Sequence, residues 1–206
     1  MSWTQMDMSL AEYADDLKGI GVPDEFLHRI ATSVRHEILS LDADILKAKF
    51  SARYPDAASV YDQIIYNWTF SGSHQDEIDS DVAVNQTAVL AANYLYFIYA
   101  QDTYLQAIAN VSPKRGPSHP IAKFLTTGEV WGFRNAFAHG EWCYVGEKNS
   151  MDIQYIHRVK GIEEFRLISP RKLHLWHLLS KTLLGLWSAR MADLRQPIQN
   201  ASQVSQ

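Results

Sequence analysis

Three polar side chains lie close together in an otherwise apolar segment of this chain. They are Arg134, Asn135 and His139, and the segment, residues 131–140, reads WGFRNAFAHG. A guanidinium and a carboxamide can hold the oxygens of a phosphodiester, and histidine is the side chain whose unperturbed pKa allows proton transfer near neutral pH. The pattern therefore predicts a site for phosphodiester chemistry with these three residues as its catalytic groups.

Two other arginine–histidine pairs have a similar spacing, so the spacing alone carries little information. Arg29 and His36 are separated by six residues, and the apolar Ile30 follows the arginine. Arg171 and His177 are separated by five residues, within a segment rich in Leu and Trp that is typical of a core helix. The residues around Arg134 must therefore carry the argument.

That context resembles the Arg, four residues, His signature of the HEPN superfamily, whose active members are metal-independent ribonucleases. The resemblance includes Asn135 directly after the arginine, small or aromatic residues at 136–138, and Gly140 after the histidine. Its specific part is limited to Phe133–Gly140. It implies an all-α, HEPN-like helical bundle of about five to six helices, and a homodimer in which the motif helices of two protomers line one cleft.

The reaction implied by the resemblance is attack of an RNA 2′-hydroxyl on the neighbouring phosphate, giving a cyclic phosphate and a free 5′-hydroxyl. His139 would take or return the proton, and Arg134 would stabilise charge on the phosphorane-like transition state. Asn135 would orient His139 or a phosphate oxygen. RNA is then the expected partner, and no metal or cofactor is expected. The family suggests a toxin or antiphage defence protein, whose antitoxin, if one exists, would be a separate chain.

A structural interpretation of the same residues stays open. Arg134 would pair with a carboxylate such as Glu129 or Glu141, Asn135 would cap a helix end, and a backbone carbonyl would satisfy His139. The competing functional hypothesis is a non-catalytic helical module that binds a partner protein or a nucleotide in the same dimer cleft.

Helical geometry limits how the motif can converge. Asn135 and His139 are four residues apart and share a face, whereas Arg134 and His139 are five apart and about 140° out of phase. Either the Arg134 side chain curls around the helix, or the helix ends near Ala138 and His139 lies in a cap before Gly140. At a helix C-terminus the dipole would stabilise the charged imidazole.

The net charge of −4 excludes a surface coated with positive charge, so any RNA contact must be local. The best candidate is the loop Pro113–Pro120, where Lys114 and Arg115 lie, together with Lys123. We predict that these three cations bind RNA. A solvated loop between helices is the alternative, because Pro, Gly and Ser form loops whatever the charge.

Length and composition predict one domain over residues 1–195, with N-terminal helices in 1–70, a core with the motif in 82–193 and a disordered tail in 196–206. The single cysteine, Cys143, excludes an intramolecular disulfide and fits a reducing compartment. The N-terminal residues lack the pattern of a signal peptide, so a cytoplasmic protein without a membrane span is expected. His157, His174 and His177 are more typical of packing than of a metal site.

Apolar periodicity and turn residues predict the elements of this domain. The last helix begins at Ser169-Pro170, with Ser as N-cap and Pro in the first turn. A β-hairpin is expected between Trp142–Val145 and Ile153–Val159. The predicted helices before it are Ser9–Leu17, a stripe from Phe26 to Ile45, Ala57–Phe70, Val82 to about Val111, and Ile121–Ala138 interrupted by Gly128 and Gly132, with an acidic linker at Ser71–Asp81.

Overall fold

The chain is mostly helical and carries one small antiparallel sheet. The computed structural model describes residues 3–41, 89–146 and 152–203. The helices are α1 (Trp3–Ala11), α2 (Ala14–Gly19), α3 (Ile30–Ser40), α4 (residues 89–111 of its described part), α5 (Ser118–Thr126), α6 (Gly128–Ala138) and α7 (Pro170–Gln203). The strands are β1 (Trp142–Val145), β2 (Asp152–Val159) and β3 (Ile162–Ile168).

The N-terminal helices follow the predicted apolar pattern with one break each. The helix expected at Ser9–Leu17 is divided between α1 and α2, because the chain turns at residues 12–13. The next stripe begins in a 3₁₀ turn, Asp24–Phe26, and continues in α3, where Ile30, Val34 and Ile38 are fully buried. The expectations for Ala57–Phe70 and for the acidic linker lie outside the described residues.

The long helix expected up to Val111 is confirmed over its described part. Phe97, Leu105 and Ile108 are fully buried, whereas Leu90 and Tyr94 are exposed. The sequence pattern gave no sign of its two π-helical segments, Tyr94–Tyr99 and Gln101–Leu105. Asn93 and Gln101, fully buried polar residues of this helix, have partners on neighbouring helices. The imidazole Nε2 of His177 donates to Asn93 Oδ1 at 2.7 Å, and Gln101 Nε2 donates to the Leu125 carbonyl at 2.6 Å.

An aromatic cluster joins α4, α6 and α7 in the core. Trp176 is fully buried, and its ring meets the rings of Phe97 and Phe133 at centroid distances of 6.0 and 5.8 Å. Phe133 and Phe97 meet each other edge to face at 5.6 Å. Because these contacts involve large and rigid side chains, they fix the rotation of α6, the helix that carries the motif.

The sheet has three strands where the sequence predicted a two-stranded hairpin. The predicted strands are present as β1 and β2, and the order is β1-β2-β3 with both pairs antiparallel. The connection to β3 is the dipeptide Lys160-Gly161, with φ of 51° and 81°. Two successive positive φ angles are typical of a type I′ turn, which Asn-Gly signals more strongly than Lys-Gly does. The predicted helical fold with a small antiparallel hairpin is therefore confirmed, and the sheet has one more strand than the sequence predicted.

The motif helix is shorter than predicted. The expected Ile121–Ala138 helix is two helices, α5 and α6, which meet at Thr127 and Gly128. Gly128 has a φ of +55°, which ends one helix and starts the next, whereas α6 continues through Gly132 without a break.

The last helix starts where Ser169-Pro170 predicts. The Ser169 hydroxyl oxygen accepts a hydrogen bond from the Lys172 amide at 3.4 Å. The helix continues to Gln203, through the part of the expected disordered tail that the structure describes. In the three described ranges, no helix combines the length and the apolar character needed to cross a membrane.

Candidate functional site

The motif residues lie along the solvent side of α6. Positions 127, 131, 134, 135 and 138 share one face of a helix with 3.6 residues per turn. Trp131 is 37% exposed, Arg134 and Asn135 are half-buried, and Ala138 and His139 are exposed. The opposite face, with Val130, Phe133 and Phe137, is buried in the core.

Phe133 is the residue that turns the motif outward. Its ring lies within 5.5 to 5.8 Å of the rings of Tyr155, Phe97, Phe137 and Trp176. Successive helical residues are about 100° apart, so a residue anchored in the core directs the following two away from it. The aromatic core therefore positions the Arg134 and Asn135 side chains at the surface.

Asn135 and Trp131, which share the exposed face of α6, contact the Arg134 guanidinium. Its Nη1 donates to Asn135 Oδ1 at 3.0 Å, and its central carbon lies 5.2 Å from the centroid of the Trp131 ring. A cation over an indole is attracted by the negative face of the ring. Asn135 thus orients the arginine in this structure. Trp131 was not among the predicted site residues, although its position three residues before Arg134 was the available signal.

His139 occupies the C-cap of α6, which is the second of the two arrangements that the helical phase allowed. The cap is a Schellman motif. Gly140, with a φ of +70°, donates to the Phe137 carbonyl at 3.3 Å, and Glu141 donates from its amide to the Ala136 carbonyl at 2.8 Å. The imidazole is therefore carried at the exposed end of the helix, one turn beyond Asn135.

The cap is attached to the sheet through Glu141. Its carbonyl accepts from the Ile156 amide at 3.1 Å, and its carboxylate accepts a hydrogen bond from Arg158 Nη1. Arg158 Nε also donates to Glu163 Oε1 at 2.8 Å. The hydrogen bond from Arg158 holds the pKa of Glu141 below its usual range, and the nearby His139 contributes in the same direction.

Both carboxylates named as structural partners of Arg134 are engaged with other cations. Glu141 binds Arg158, and Glu129 lies 2.5 Å from the Lys172 ammonium. These pairs join α6 and its cap to β2 and α7. These ion pairs indicate that the two glutamates position α6 and its cap.

The sheet face of α6 contains a close approach at Gly132. A Cβ built at this position would lie 1.8 Å from Nδ1 of His157, which is only 7% exposed. The backbone of α6 at Gly132 therefore packs directly against the imidazole ring of His157 on β2. This contact sets the distance between the motif helix and the sheet.

Buried histidines make the stability of the fold depend on pH. Burial lowers the pKa of His157, with Arg166 adding to the effect, and burial with a contribution from His174 lowers the pKa of His177 to about 3. In the unfolded chain both rings take up protons near pH 6.5, so the unfolded state binds more protons below that pH. The contribution of the two neutral rings to the free energy of unfolding is therefore fully present above about pH 7 and declines as the pH falls.

We expect the free energy of unfolding, measured by urea titration, to fall between pH 7 and pH 5. The slope approaches roughly 1.4 kcal/mol per pH unit for each ring that stays neutral in the folded state. His177→Gln removes one titrating ring and should flatten the decline. Equal stability of the wild-type protein at the two pH values would contradict this expectation.

The three predicted RNA-binding cations, Lys114, Arg115 and Lys123, are all exposed. Lys114 and Arg115 lie in the loop before α5, and Lys123 lies within α5. The loop is shorter than expected, since α5 starts at Ser118. The Ser118 amide donates to Glu37 Oε2 at 2.9 Å, so a carboxylate from α3 already lies at the helix N-terminus. The backbone N–H of Ser118 at this helix end is therefore already occupied by a carboxylate, whereas the three cations remain exposed.

His174 and His177, on the last helix, have structural contacts. His174 Nδ1 is 2.8 Å from the Tyr13 hydroxyl, and Arg171, of the second arginine–histidine pair, lies over the Tyr13 ring at 4.4 Å. His177 belongs to the buried pair with Asn93. Among the described residues, no group of three or more His, Cys, Asp or Glu side chains is arranged to hold a metal ion.

Comparisons with known proteins do not assign the chain to a family. No protein-family model matches it, and neither the curated proteins nor the solved structures give a match. The assignment of a function to this site therefore depends on its residues and geometry.

Proposed function

We propose that this chain is a metal-independent endoribonuclease of the HEPN type, with Arg134, Asn135 and His139 as its catalytic residues. One observation carries the proposal: a guanidinium, a carboxamide and an imidazole lie at the same end of α6, with Arg134 and Asn135 half-buried and His139 exposed. These are the side-chain types that can bind a phosphodiester and transfer protons. The two other arginine–histidine pairs lack this arrangement: Arg171 and His177 make structural contacts, and Arg29 precedes α3 while His36 lies within it.

The chemistry follows from the three side chains. The 2′-oxygen of a ribose forms a bond to the adjacent phosphorus and the bond to the 5′-oxygen breaks, which leaves a cyclic phosphate and a 5′-hydroxyl. The His139 imidazole accepts the proton of the 2′-hydroxyl, and a protonated imidazole returns one to the leaving oxygen. Arg134 stabilises the negative charge that develops on the phosphoryl oxygens. Asn135 and Trp131 hold the guanidinium in place.

A homodimer would supply the second set of groups. The exposed stripe of α6 presents the Trp131 ring and Ala138 beside the motif, which are suitable for packing against the same stripe of another copy. Two motifs facing one cleft would concentrate four cationic or proton-carrying side chains. This arrangement would provide a local positive potential that the net charge of −4 does not. A role as a toxin or antiphage defence protein, with a separate antitoxin, follows from the family resemblance.

The test is cleavage of labelled RNA by the purified protein in EDTA. The wild-type protein should cut the RNA, and Arg134→Ala should lose most of the rate because charge on the transition state is no longer stabilised. Arg29→Ala is the matched control, since Arg29 is an exposed arginine from another arginine–histidine pair, and it should cut like the wild type. Intact RNA with the wild-type protein would favour the binding module, and activity that EDTA abolishes would point to a metal site.

A further inference from the structure

The outer strand of the sheet has the properties of an association edge. β3 pairs with β2 over seven consecutive positions, from Ile162 opposite Val159 to Ile168 opposite Ile153, without a bulge. In the described part of the chain no strand pairs with its other side. A regular strand with an open edge presents backbone N–H and C=O groups in the geometry that another strand requires.

β3 carries three charged residues, and it also exposes three large apolar side chains. Phe165 is 74% exposed, Leu167 56% and Ile162 64%. Proline, lysine and bulges, which natural proteins use to keep edge strands apart, are all absent between Ile162 and Ile168. Phe165 and Leu167 share the outer face of the sheet with Ile156, which lies opposite Phe165 on β2. Exposed apolar side chains on a regular edge strand are typical of strands that pair with another chain.

The charge pattern of β3 matches that of a second copy of itself. An antiparallel pair of β3 strands centred on Phe165 places Phe165 opposite Phe165, Glu164 opposite Arg166, and Ile162 opposite Ile168. Each Glu164 already accepts from Arg166 of its own strand at 2.8 Å, so both side chains lie on one face and would form a four-membered charge cluster across the axis. Opposite charges and aromatic pairs at directly facing positions stabilise antiparallel strands.

We propose that two copies of this chain associate through β3, antiparallel and in register at Phe165, to form one continuous six-stranded sheet. Self-pairing about a twofold axis uses the β3 edge of each copy, so association through this edge closes at two copies. Pairing of β3 with the β1 edge of another copy would instead continue into a filament. This inference does not rest on the proposed ribonuclease function, because it involves the sheet edge and not the α6 stripe.

The register can be tested by disulfide trapping in a Cys143→Ser background, which removes the only natural thiol. Phe165→Cys should form a covalent dimer in a mild redox buffer, because the twofold register places residue 165 opposite itself. Leu167→Cys is the control on the same face. Its two copies would lie four positions apart, roughly 13 Å along the strands, beyond the roughly 7 Å that a disulfide spans.

A second variant keeps Phe165. Glu163→Cys with Leu167→Cys should also form a covalent dimer, since positions 163 and 167 face each other in this register. Equal yields from Phe165→Cys and Leu167→Cys, or no covalent dimer from either the single variant or the double, would overturn the proposal. The outcome is independent of RNA cleavage, so the two proposals can fail separately.

Charge reversal gives a solution measurement without cysteines. Glu164→Arg should shift the chain toward a smaller species in sedimentation equilibrium. The new arginine of each copy would then face Arg166 of the other copy, which makes two repulsive pairs in the dimer. Adding Arg166→Glu to the same chain restores opposite charges and should restore association. Association that ignores the single reversal, or that the double reversal fails to recover, would contradict the register.

Discussion

Replacing His139 with glutamine is expected to lower the rate of RNA cleavage by about 10²–10⁴ and to leave the fold intact. The imidazole is the group that carries the proton in the proposed reaction, and glutamine keeps its size and polarity without that ability. His139 is exposed at the C-cap, and the backbone bonds of the Schellman motif form around Gly140 and Glu141. The measurements are single-turnover cleavage and thermal unfolding.

His36→Gln is the matched control for this variant. His36 is also exposed and belongs to another arginine–histidine pair, but it lies within α3, away from the motif helix. It should cleave RNA at the wild-type rate. If His139→Gln cut RNA as fast as His36→Gln, the proton transfer assigned to His139 would be wrong.

Replacing Gly132 with alanine is expected to cost about 1–3 kcal/mol of unfolding free energy or more. In an ordinary helix the same change would stabilise by up to about 1 kcal/mol. Here the new methyl group would lie 1.8 Å from the His157 ring, which is buried between α6 and the sheet. The helix must move away from β2, and the motif would move with it. Urea unfolding measures the loss.

Two further variants separate this contact from a general effect of alanine. Gly19→Ala lies at the exposed end of α2 with no atom within 4 Å of its Cβ, so it should be neutral or stabilising. Gly132→Ala combined with His157→Ala should cost less than the sum of the two single changes, because the shortened side chain leaves room for the methyl group. Additive losses would mean that the two residues do not meet.

The sequence predicted the local features whose chemistry is confined to a few neighbouring residues. Ser169 and Pro170 begin α7 as their preferences require, and Gly140 closes α6 as a C-cap glycine does. The stripe of Ile30, Val34 and Ile38 is buried as its spacing indicates. In each case the determining residues lie within one or two turns of the chain.

Features that depend on distant contacts were not predictable in the same way. β3 was missed because most of its residues face solvent and because Lys160-Gly161 is a weak turn signal. The importance of Gly132 depends on His157, which lies on a strand 25 residues later in the chain. The attachment of the motif cap to the sheet likewise requires Arg158 to reach Glu141. Spacing within one segment contains no information about such pairs.

The end groups of the cleaved RNA test the central claim most directly. RNA of defined sequence is incubated with the wild-type protein in EDTA, and the fragments are identified by mass spectrometry. Attack by the 2′-hydroxyl at the site of Arg134, Asn135 and His139 predicts a 2′,3′-cyclic phosphate on one fragment and a 5′-hydroxyl on the other. Fragments with a 3′-hydroxyl and a 5′-phosphate, or RNA that stays intact, would contradict it.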